Sequence, residues 1–197
     1  IRAQEECPDY EIYQLKSGDN WIENSTSQVK SKIIGFEGNF VSFNMLNQLK
    51  ERTNKNLIWK DFSEQITKER VIKSDSEVKK IEEAISISDR AFNTVSKKIK
   101  EGMTEEEIAW EMEKEMRILG AESISFDTIV ASGINGAKPH HSPTEKKISD
   151  GEAITIDMGA KFNGYCSDLT RTIFIGDPDE KFMKIYNTCL LYTSPSP

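Results

Sequence analysis

Two aspartates, Asp157 and Asp168, stand inside segments that otherwise have the composition of β-strands. Asn163-Gly164 between them is a strong signal for a two-residue hairpin turn. With that turn Asp157 pairs with Thr170, and the alternation of side chains places Asp157 and Asp168 on one face as diagonal neighbours. Diagonal neighbours lie about 7–8 Å apart at the backbone, so their carboxylates can converge on metal ions.

The apolar residues of the first strand favour this arrangement. Ile154, Ile156 and Met158 alternate onto the opposite face, where they can pack in a core. A carboxylate between apolar neighbours is costly unless something compensates its charge, and a cation would do so. Two metal ions in a hydrolytic site lie about 3.5–4 Å apart, within bridging reach of paired carboxylates. Two other interpretations stay open: both aspartates are solvated on an open sheet face, or Asp168 pairs with Arg171.

Two amphipathic helices are predicted before the hairpin. Residues 74–77 have the pattern of a capping box, and apolar residues recur behind them at helical spacing to about Lys100. Residues 104–107 repeat the capping pattern, and a second apolar stripe runs to Gly120. Signals typical of strands then follow over residues 124–131, 153–159 and 165–175.

The sequence pattern of residues 1–70 predicts a mixed α/β layer with no candidate catalytic or ligand-binding residues. Short apolar runs at 33–37, 40–43 and 57–59 are typical of strands, and residues 45–49 have the spacing of a helix face.

The bulk composition excludes several classes of partner. The excess of 33 Asp and Glu over 26 Lys and Arg argues against a nucleic-acid partner. No run reaches the roughly 18 apolar residues of a membrane span, so no membrane partner is expected. The three cysteines are far apart and form no CxxC pair, which favours free thiols in a reducing, cytoplasmic compartment.

Several segments together resemble a known enzyme family. The run Ile156-Asp157-Met158-Gly159-Ala160 and residues 164–172 resemble the central signature of the M24 "pita-bread" metallopeptidases, the creatinase/aminopeptidase P family. Residues 130–141 resemble the loop that brings a histidine to the same site, and the helix pair resembles the opening of the catalytic domain. The resemblance covers about residues 70–188.

The resemblance implies an α+β fold. It consists of an incomplete pita-bread catalytic domain, two helices plus an antiparallel sheet, preceded by a partial α/β N-terminal creatinase-like domain. The expected bounds are 1–70 for the N-terminal domain, 71–189 for the first half of the catalytic domain and 190–197 for a non-native or disordered tail. Because the chain begins at Ile1 and its first methionine is Met45, we expect truncation at the N-terminus, and because the resemblance implies a second half of the catalytic domain, we expect truncation at the C-terminus too.

The resemblance also implies a metal site. Asp157 and Asp168 match the first two metal ligands, and His140 matches the catalytic histidine on the substrate side. The cofactors implied are two divalent metal ions, manganese first and cobalt or zinc as alternatives, and oxygen-rich ligation suits manganese. The family's remaining ligands, one histidine and two glutamates, belong to the second half of the domain, which this sequence lacks.

Within the family, the leading domain and the Pro139-His140-His141 context look closest to Xaa-Pro aminopeptidases and Xaa-Pro dipeptidases (prolidases). The implied reaction is hydrolysis of the peptide bond before proline, in peptides that have proline at the second position. The resemblance also implies that the full-length protein is a homodimer. The chain by itself is expected to be inactive. Two alternatives stay open, a non-catalytic pita-bread binding module and a creatinase-like amidinohydrolase that needs no metal.

His140 and His141 are the only histidines, and they are adjacent. Both could be solvated loop residues. Because adjacent side chains in an extended loop point apart, only one of them is expected to face the site, and the resemblance favours His140.

Overall fold

The structure, a computed structural model, describes residues 2–27, 29–53 and 55–193, and for Tyr192 and Thr193 only the backbone. It divides the chain into two compact units, Ile1–Ile72 and Lys73–Pro197. Residues 194–197, the end of the predicted tail, lie outside the described residues.

The first unit contains a two-stranded parallel sheet. Strand β1 (Ile33–Phe36) pairs with β2 (Ile58–Asp61), and Ile33 lies opposite Ile58. The helices of this unit are α1 (Arg2–Glu6), α2 (Trp21–Ser27), α3 (Phe43–Glu51) and α4 (Ser63–Val71). Since α3 connects the two parallel strands, the unit contains a βαβ arrangement, in agreement with the predicted α/β layer.

One predicted strand of this unit, residues 40–43, is wrong. Ser42 is the N-cap of α3, and its side-chain oxygen accepts a hydrogen bond from the Met45 backbone N–H at 3.2 Å. The helix therefore begins at Phe43. A hydroxyl that satisfies a free N–H at a helix start outweighs the weak strand signal of a short alternating run.

The second unit begins with two long helices, α5 (Asp75–Val95) and α6 (Glu105–Ile118). The predicted capping box at Thr104 is present, because the Thr104 N–H donates to Glu107 at 2.8 Å and the Glu107 N–H donates to the Thr104 hydroxyl at 3.1 Å. Helix α5 ends earlier than predicted, at Val95, and continues as a short 3₁₀ turn over Ser96–Lys98.

The sheet region consists of two three-stranded antiparallel sheets, with the orders β4-β5-β8 and β3-β6-β7. The strands are β3 (Ser123–Ile124), β4 (Ile129–Ser132), β5 (Ala153–Met158), β6 (Ala160–Phe162), β7 (Tyr165–Cys166) and β8 (Leu169–Phe174). The predicted strands 124–131 and 165–175 are each interrupted once, whereas 153–159 is found as the continuous strand β5, which ends one residue earlier than predicted. Helix α7 (Glu180–Thr193) follows, and Phe182 packs on Phe174 with ring centroids 4.8 Å apart.

The predicted hairpin register is confirmed. Asn163 and Gly164 both have positive φ, 47° and 80°, as a two-residue turn of this type requires. Phe162 pairs with Tyr165, and further along the same hairpin Asp157 pairs with Thr170.

Gly159 marks the interruption between β5 and β6. A Cβ at this position would overlap the backbone carbonyl oxygen of Ser167 and the side chain of Ser125. The same point is held by hydrogen bonds, because the Ser125 N–H donates to the Gly159 carbonyl at 2.8 Å and the Ser167 N–H donates to the Ala160 carbonyl at 2.9 Å. Three segments converge here because glycine has no side chain.

The core of this unit lies between the helices and the inner face of the sheet. Ile154, Ile156 and Met158 are fully buried and belong to one cluster with the apolar faces of α5 and α6, including Ile87, Ala91, Val95, Ile108, Met112 and Met116. The neighbouring strand positions, including Asp157, are only half-buried and face the other way. No helix within residues 2–27, 29–53 and 55–193 is long and apolar enough to cross a membrane.

The close approach at Gly159 generates a stability prediction. Gly159→Ala should lower the free energy of unfolding by roughly 1–3 kcal/mol, because the added methyl group meets backbone that cannot move without breaking the sheet. Gly136→Ala is the control, since its Cβ would meet only the Ala131 carbonyl oxygen at 3.8 Å. The control should be neutral or stabilising by about 0.4–1 kcal/mol. Urea unfolding measures both, and equal effects of the two substitutions would contradict the packing argument.

A second prediction concerns Glu77, which connects the start of α5 to the hairpin. Its carboxylate accepts hydrogen bonds from the Ser74 N–H at 2.7 Å, the Ser74 hydroxyl at 2.8 Å and the Tyr165 hydroxyl at 2.8 Å. The Ser74 backbone bond, then the Tyr165 and Ser74 hydroxyls, lower the pKa of Glu77 from 4.5 to about 2. A lowered pKa in the folded state gives stability that is present above the unfolded pKa and is lost as the pH falls through the folded one.

The advantage of wild type over Glu77→Gln should therefore be constant above about pH 5 and shrink between pH 4.5 and 2. Urea unfolding over this pH range measures it. Glu82→Gln, on the exposed side of the same helix, is the control and should show no such dependence. An advantage of wild type that stays constant down to pH 2 would contradict the prediction.

Candidate metal centre

A pocket of about 450 Å³ opens where the strand interruptions meet the loop that follows β4. Its wall contains both predicted metal ligands and the predicted catalytic histidine. The lining residues are Phe126, Asp127, Ile129, His140, His141, Ser142, Asp157 and Asp168.

Asp157 lies near the end of β5, on the face that turns away from the core. Its Oδ1 accepts a hydrogen bond from the hydroxyl of Thr170 at 2.8 Å, and Thr170 is the residue directly opposite in the register. The second carboxylate oxygen makes no hydrogen bond with any described residue. The cross-strand threonine thus orients the carboxylate and leaves one oxygen available to a ligand.

Asp168 lies in the interruption between β7 and β8 and is exposed. Within the part of the chain that the structure describes, its carboxylate forms no hydrogen bond or ion pair. The alternative partner, Arg171, instead has its guanidinium 3.8 Å from Asp89. The interpretation in which Asp168 is neutralised by Arg171 is therefore not what the structure contains.

The two adjacent histidines have different environments. His140 is exposed on the pocket wall and has no hydrogen-bond partner among the described residues. His141 is 7% exposed, and its Nε2 lies 2.8 Å from Oε2 of Glu105. The imidazole of His140 is thus available to a substrate, whereas that of His141 is engaged in the interior.

Glu105 is a residue whose importance the sequence reasoning missed, because it was taken only as part of a capping pattern. It is fully buried at the first position of α6. Burial raises the pKa of its carboxyl, but hydrogen bonds from His141, Asn135 and Ser132 outweigh this and lower it to about 2. A signal was available, since Glu105 stands three residues before Ile108 and so continues the apolar stripe of the helix.

Asp127 is a third carboxylate on the pocket wall and was also missed. It lies in the irregular segment between β3 and β4, where the sequence predicted a continuous strand. No described residue makes a hydrogen bond or an ion pair with it. The interruption of the strand turns this side chain toward the pocket.

The donor chemistry of the pocket fits part of a divalent metal site. Asp157 and Asp168 offer carboxylate oxygens to which no described residue donates a hydrogen bond, and hard divalent cations prefer carboxylate oxygens. Among the described residues, no group of three or more His, Cys, Asp or Glu is arranged to hold an ion. The assignment of Asp157 and Asp168 as metal ligands therefore stays a prediction.

Comparison with protein families matches nearly the whole chain. Residues 79–193 match the model of metallopeptidase family M24, and residues 1–72 match the creatinase/prolidase N-terminal domain. An Xaa-Pro dipeptidase of Pyrococcus furiosus is 39% identical over 160 residues, which are 81% of this chain and 45% of that protein. An uncharacterized peptidase of Bacillus subtilis is 36% identical over 189 residues, 94% of this chain and 52% of that protein. The chain spans about half the length of the curated relatives it matches.

Solved structures show the same relationship. The X-Pro aminopeptidase of Thermotoga maritima superimposes with a TM-score of 0.87 at 33% identity, over 96% of this chain and 55% of that one. The Xaa-Pro dipeptidase of Bacillus anthracis superimposes with a TM-score of 0.88 at 38% identity, over 96% of this chain and 54% of that one. These matches confirm the predicted fold class, and the family's description implies divalent metal ions. The chain belongs to metallopeptidase family M24, with a creatinase/prolidase N-terminal domain ahead of the catalytic one.

Proposed function

We propose that the natural protein containing this chain hydrolyses the peptide bond before proline, with Asp157 and Asp168 as metal ligands and His140 as a catalytic residue. The observation that carries the proposal is that Asp157 and Asp168 line one pocket beside the hairpin. Both have carboxylate oxygens that accept no hydrogen bond from any described residue, and both line the pocket that contains His140. The relatives described as Xaa-Pro dipeptidases and aminopeptidases support the substrate class.

The two aspartates would hold the metal. Thr170 holds one oxygen of Asp157, so that the carboxylate is oriented before an ion arrives. Two divalent ions, when bound, would polarise the scissile carbonyl and activate water for attack. We propose manganese, with cobalt or zinc as alternatives, because a carboxylate-rich ligand set suits manganese.

His140 would act on the substrate. Its imidazole lies on the pocket wall and has no hydrogen-bond partner within the described part of the chain, so it can donate a hydrogen bond to the substrate carbonyl as negative charge develops on the oxygen. A donor placed in this way lowers the barrier only if it is oriented before the substrate binds.

The proposal also covers the sequence of the peptide substrate and the cellular compartment. The substrate would carry proline at its second position, as the names of the relatives suggest. Cys7 and Cys166 form no disulfide bond with any described residue, which favours a reducing compartment, and we propose the cytoplasm. Assembly as a homodimer stays a prediction from the family resemblance.

The two alternative functions have less support. A non-catalytic binding module has no need of two carboxylates with oxygens left unpaired beside a histidine. A creatinase-like amidinohydrolase needs no metal, so a paired-carboxylate pocket would serve no purpose in it. The proposed peptidase accounts for all three side chains.

Substitution of the aspartates tests the metal assignment. In the full-length natural protein, Asp157→Asn and Asp168→Asn should each reduce Mn²⁺ affinity and Ala-Pro hydrolysis by more than about a hundredfold, because each removes a charged ligand. Isothermal titration calorimetry with Mn²⁺ and a dipeptide hydrolysis assay measure the two effects. Asp177→Asn, an exposed carboxylate outside the pocket, is the matched control. Mn²⁺ affinity equal to wild type in either pocket variant would refute the assignment.

Substitution of His140 separates catalysis from metal binding. His140→Gln should lower kcat for Ala-Pro by roughly 10²–10³-fold, as loss of one hydrogen-bond donor to the developing oxyanion does. Mn²⁺ affinity should stay within about twofold of wild type, since His140 is not proposed as a ligand. A loss of Mn²⁺ affinity as large as that of Asp157→Asn would instead make His140 a metal ligand. A wild-type protein that cleaves Ala-Ala as fast as Ala-Pro would overturn the proposed substrate class.

A further inference from the structure

The buried carboxylate of Glu105 accepts hydrogen bonds from several residues. Its Oε1 accepts from the Ser132 N–H and hydroxyl, both at 2.8 Å, and from Asn135 Nδ2 at 3.0 Å. Its Oε2 accepts from the Thr144 hydroxyl at 2.8 Å and N–H at 3.2 Å. The Nε2 atom of His141 lies 2.8 Å from the same oxygen, and because an ionised carboxylate only accepts, this nitrogen must carry the proton.

All of these donors belong to one segment, residues 132–144, which we call the His140 loop. Its only regular structure beyond Ser132 is the 3₁₀ turn Gly133–Ala137. Residues 139–143 belong to no helix or strand, and Pro139 and His140 form a turn. A loop without a backbone ladder is ordered by its side chains, and here those side chains converge on Glu105 from the loop's two ends and its middle.

The loop's return is also fixed to the start of α6. The Glu105 N–H donates to the Lys146 carbonyl at 3.1 Å, and the Glu106 N–H donates to the Thr144 carbonyl at 3.2 Å. On the other side, Lys146 Nζ donates to the Ser132 hydroxyl at 2.9 Å and pairs with Glu152 at 2.7 Å. These contacts add to the attachment at Glu105.

The attachment has a direct consequence for His140. Both histidines line the pocket with Asp157 and Asp168, but the bond to Glu105 keeps His141 buried, whereas the preceding side chain, His140, is exposed there. Glu105 itself does not line that pocket. Its carboxylate can therefore act on the site only through the loop.

We propose that Glu105 is a positioning residue, whose buried carboxylate holds the His140 loop in the conformation that presents His140 to the metal pocket. The catalytic part of this inference rests on the proposed function, whereas the positioning of the loop does not.

Local electrostatics support this role. Glu105 is the first residue of α6, where the helix dipole favours negative charge. Its pKa of about 2 keeps the carboxylate ionised at neutral pH, so that it accepts from all of its donors. A buried charge with this many partners is costly to disrupt, because the donors would lose their acceptor without gaining water.

The test uses Glu105→Gln in the full-length natural protein, with Glu106→Gln as the matched control. Glutamine has the same shape, but its amide NH₂ would face N–H and O–H donors. Glu106 loses the same charge in the same helical turn, and its side chain is exposed. For Glu105→Gln, kcat for Ala-Pro should fall roughly 10–100-fold, while KM and Mn²⁺ affinity stay within about threefold. The control should match wild type.

A second measurement does not depend on activity. In the metal-free protein labelled with ¹⁵N-histidine, the Nε2–H of His141 should exchange slowly with water, since it is buried and hydrogen-bonded. Glu105→Gln should remove this protection and shift the ring signals of His140. If Glu105 only stabilises the fold, melting temperature falls but kcat and the His140 signals stay as in wild type, and the proposal is overturned.

Two further outcomes stay decisive. If wild type does not cleave Ala-Pro, the proposed function fails, and the NMR comparison still decides whether Glu105 positions the loop. If Glu105→Gln does not fold, Thr144→Val takes its place, because this substitution removes one hydrogen-bond donor to Oε2 and leaves the Glu105 carboxylate unchanged. It should lower kcat by roughly 3–10-fold and shift the His140 signals, a graded form of the same loss. Unchanged kcat together with unchanged signals would refute the proposal.

Discussion

The register of the β5–β8 hairpin is the constraint on which the rest of the second unit depends. It is set by Asn163 and Gly164, which both adopt positive φ in a two-residue turn. A slip of one residue would exchange the two faces, burying Asp157 in the core and exposing Ile156 and Met158. Because that exchange would cost free energy, only this register is stable. The apolar core and the polar pocket are therefore consequences of the same strand pairing.

Each face of the sheet then serves a different purpose. The inner face packs against α5 and α6 in an apolar core. The outer face carries Asp157, with Thr170 opposite it, and leads to Asp168 at the strand interruption. Glu105 connects the two sides, because it belongs to the buried face of α6 yet holds the loop that carries His140. The buried carboxylate of Glu105 thus contributes both to stability and to the proposed catalysis.

Sequence patterns predicted what depends on neighbouring residues and missed what depends on close approach between distant ones. The hairpin register and the Thr104 capping box involve residues near each other along the chain, and both are as predicted. The strand at 40–43 was wrong because Ser42 caps a helix. The long strands are interrupted where Gly159 lets Ser125 and Ser167 approach the backbone, and no local pattern encodes that approach.

The sequence by itself determined the register that pairs Asp157 with Thr170 and turns Asp157 away from the core, since strand periodicity and a two-residue turn fix it. That Asp168 shares this face was a prediction, and in the structure Asp168 lies in the interruption between β7 and β8. The family resemblance added His140 and the expected fold. Only the tertiary structure decided which of the two histidines turns inward, that Asp127 lines the pocket and that Glu105 holds the loop. The reason is physical. The hydrogen bonds of Glu105 join residues 27 to 39 positions apart, and such contacts arise only when packing brings a helix start and a distant loop together.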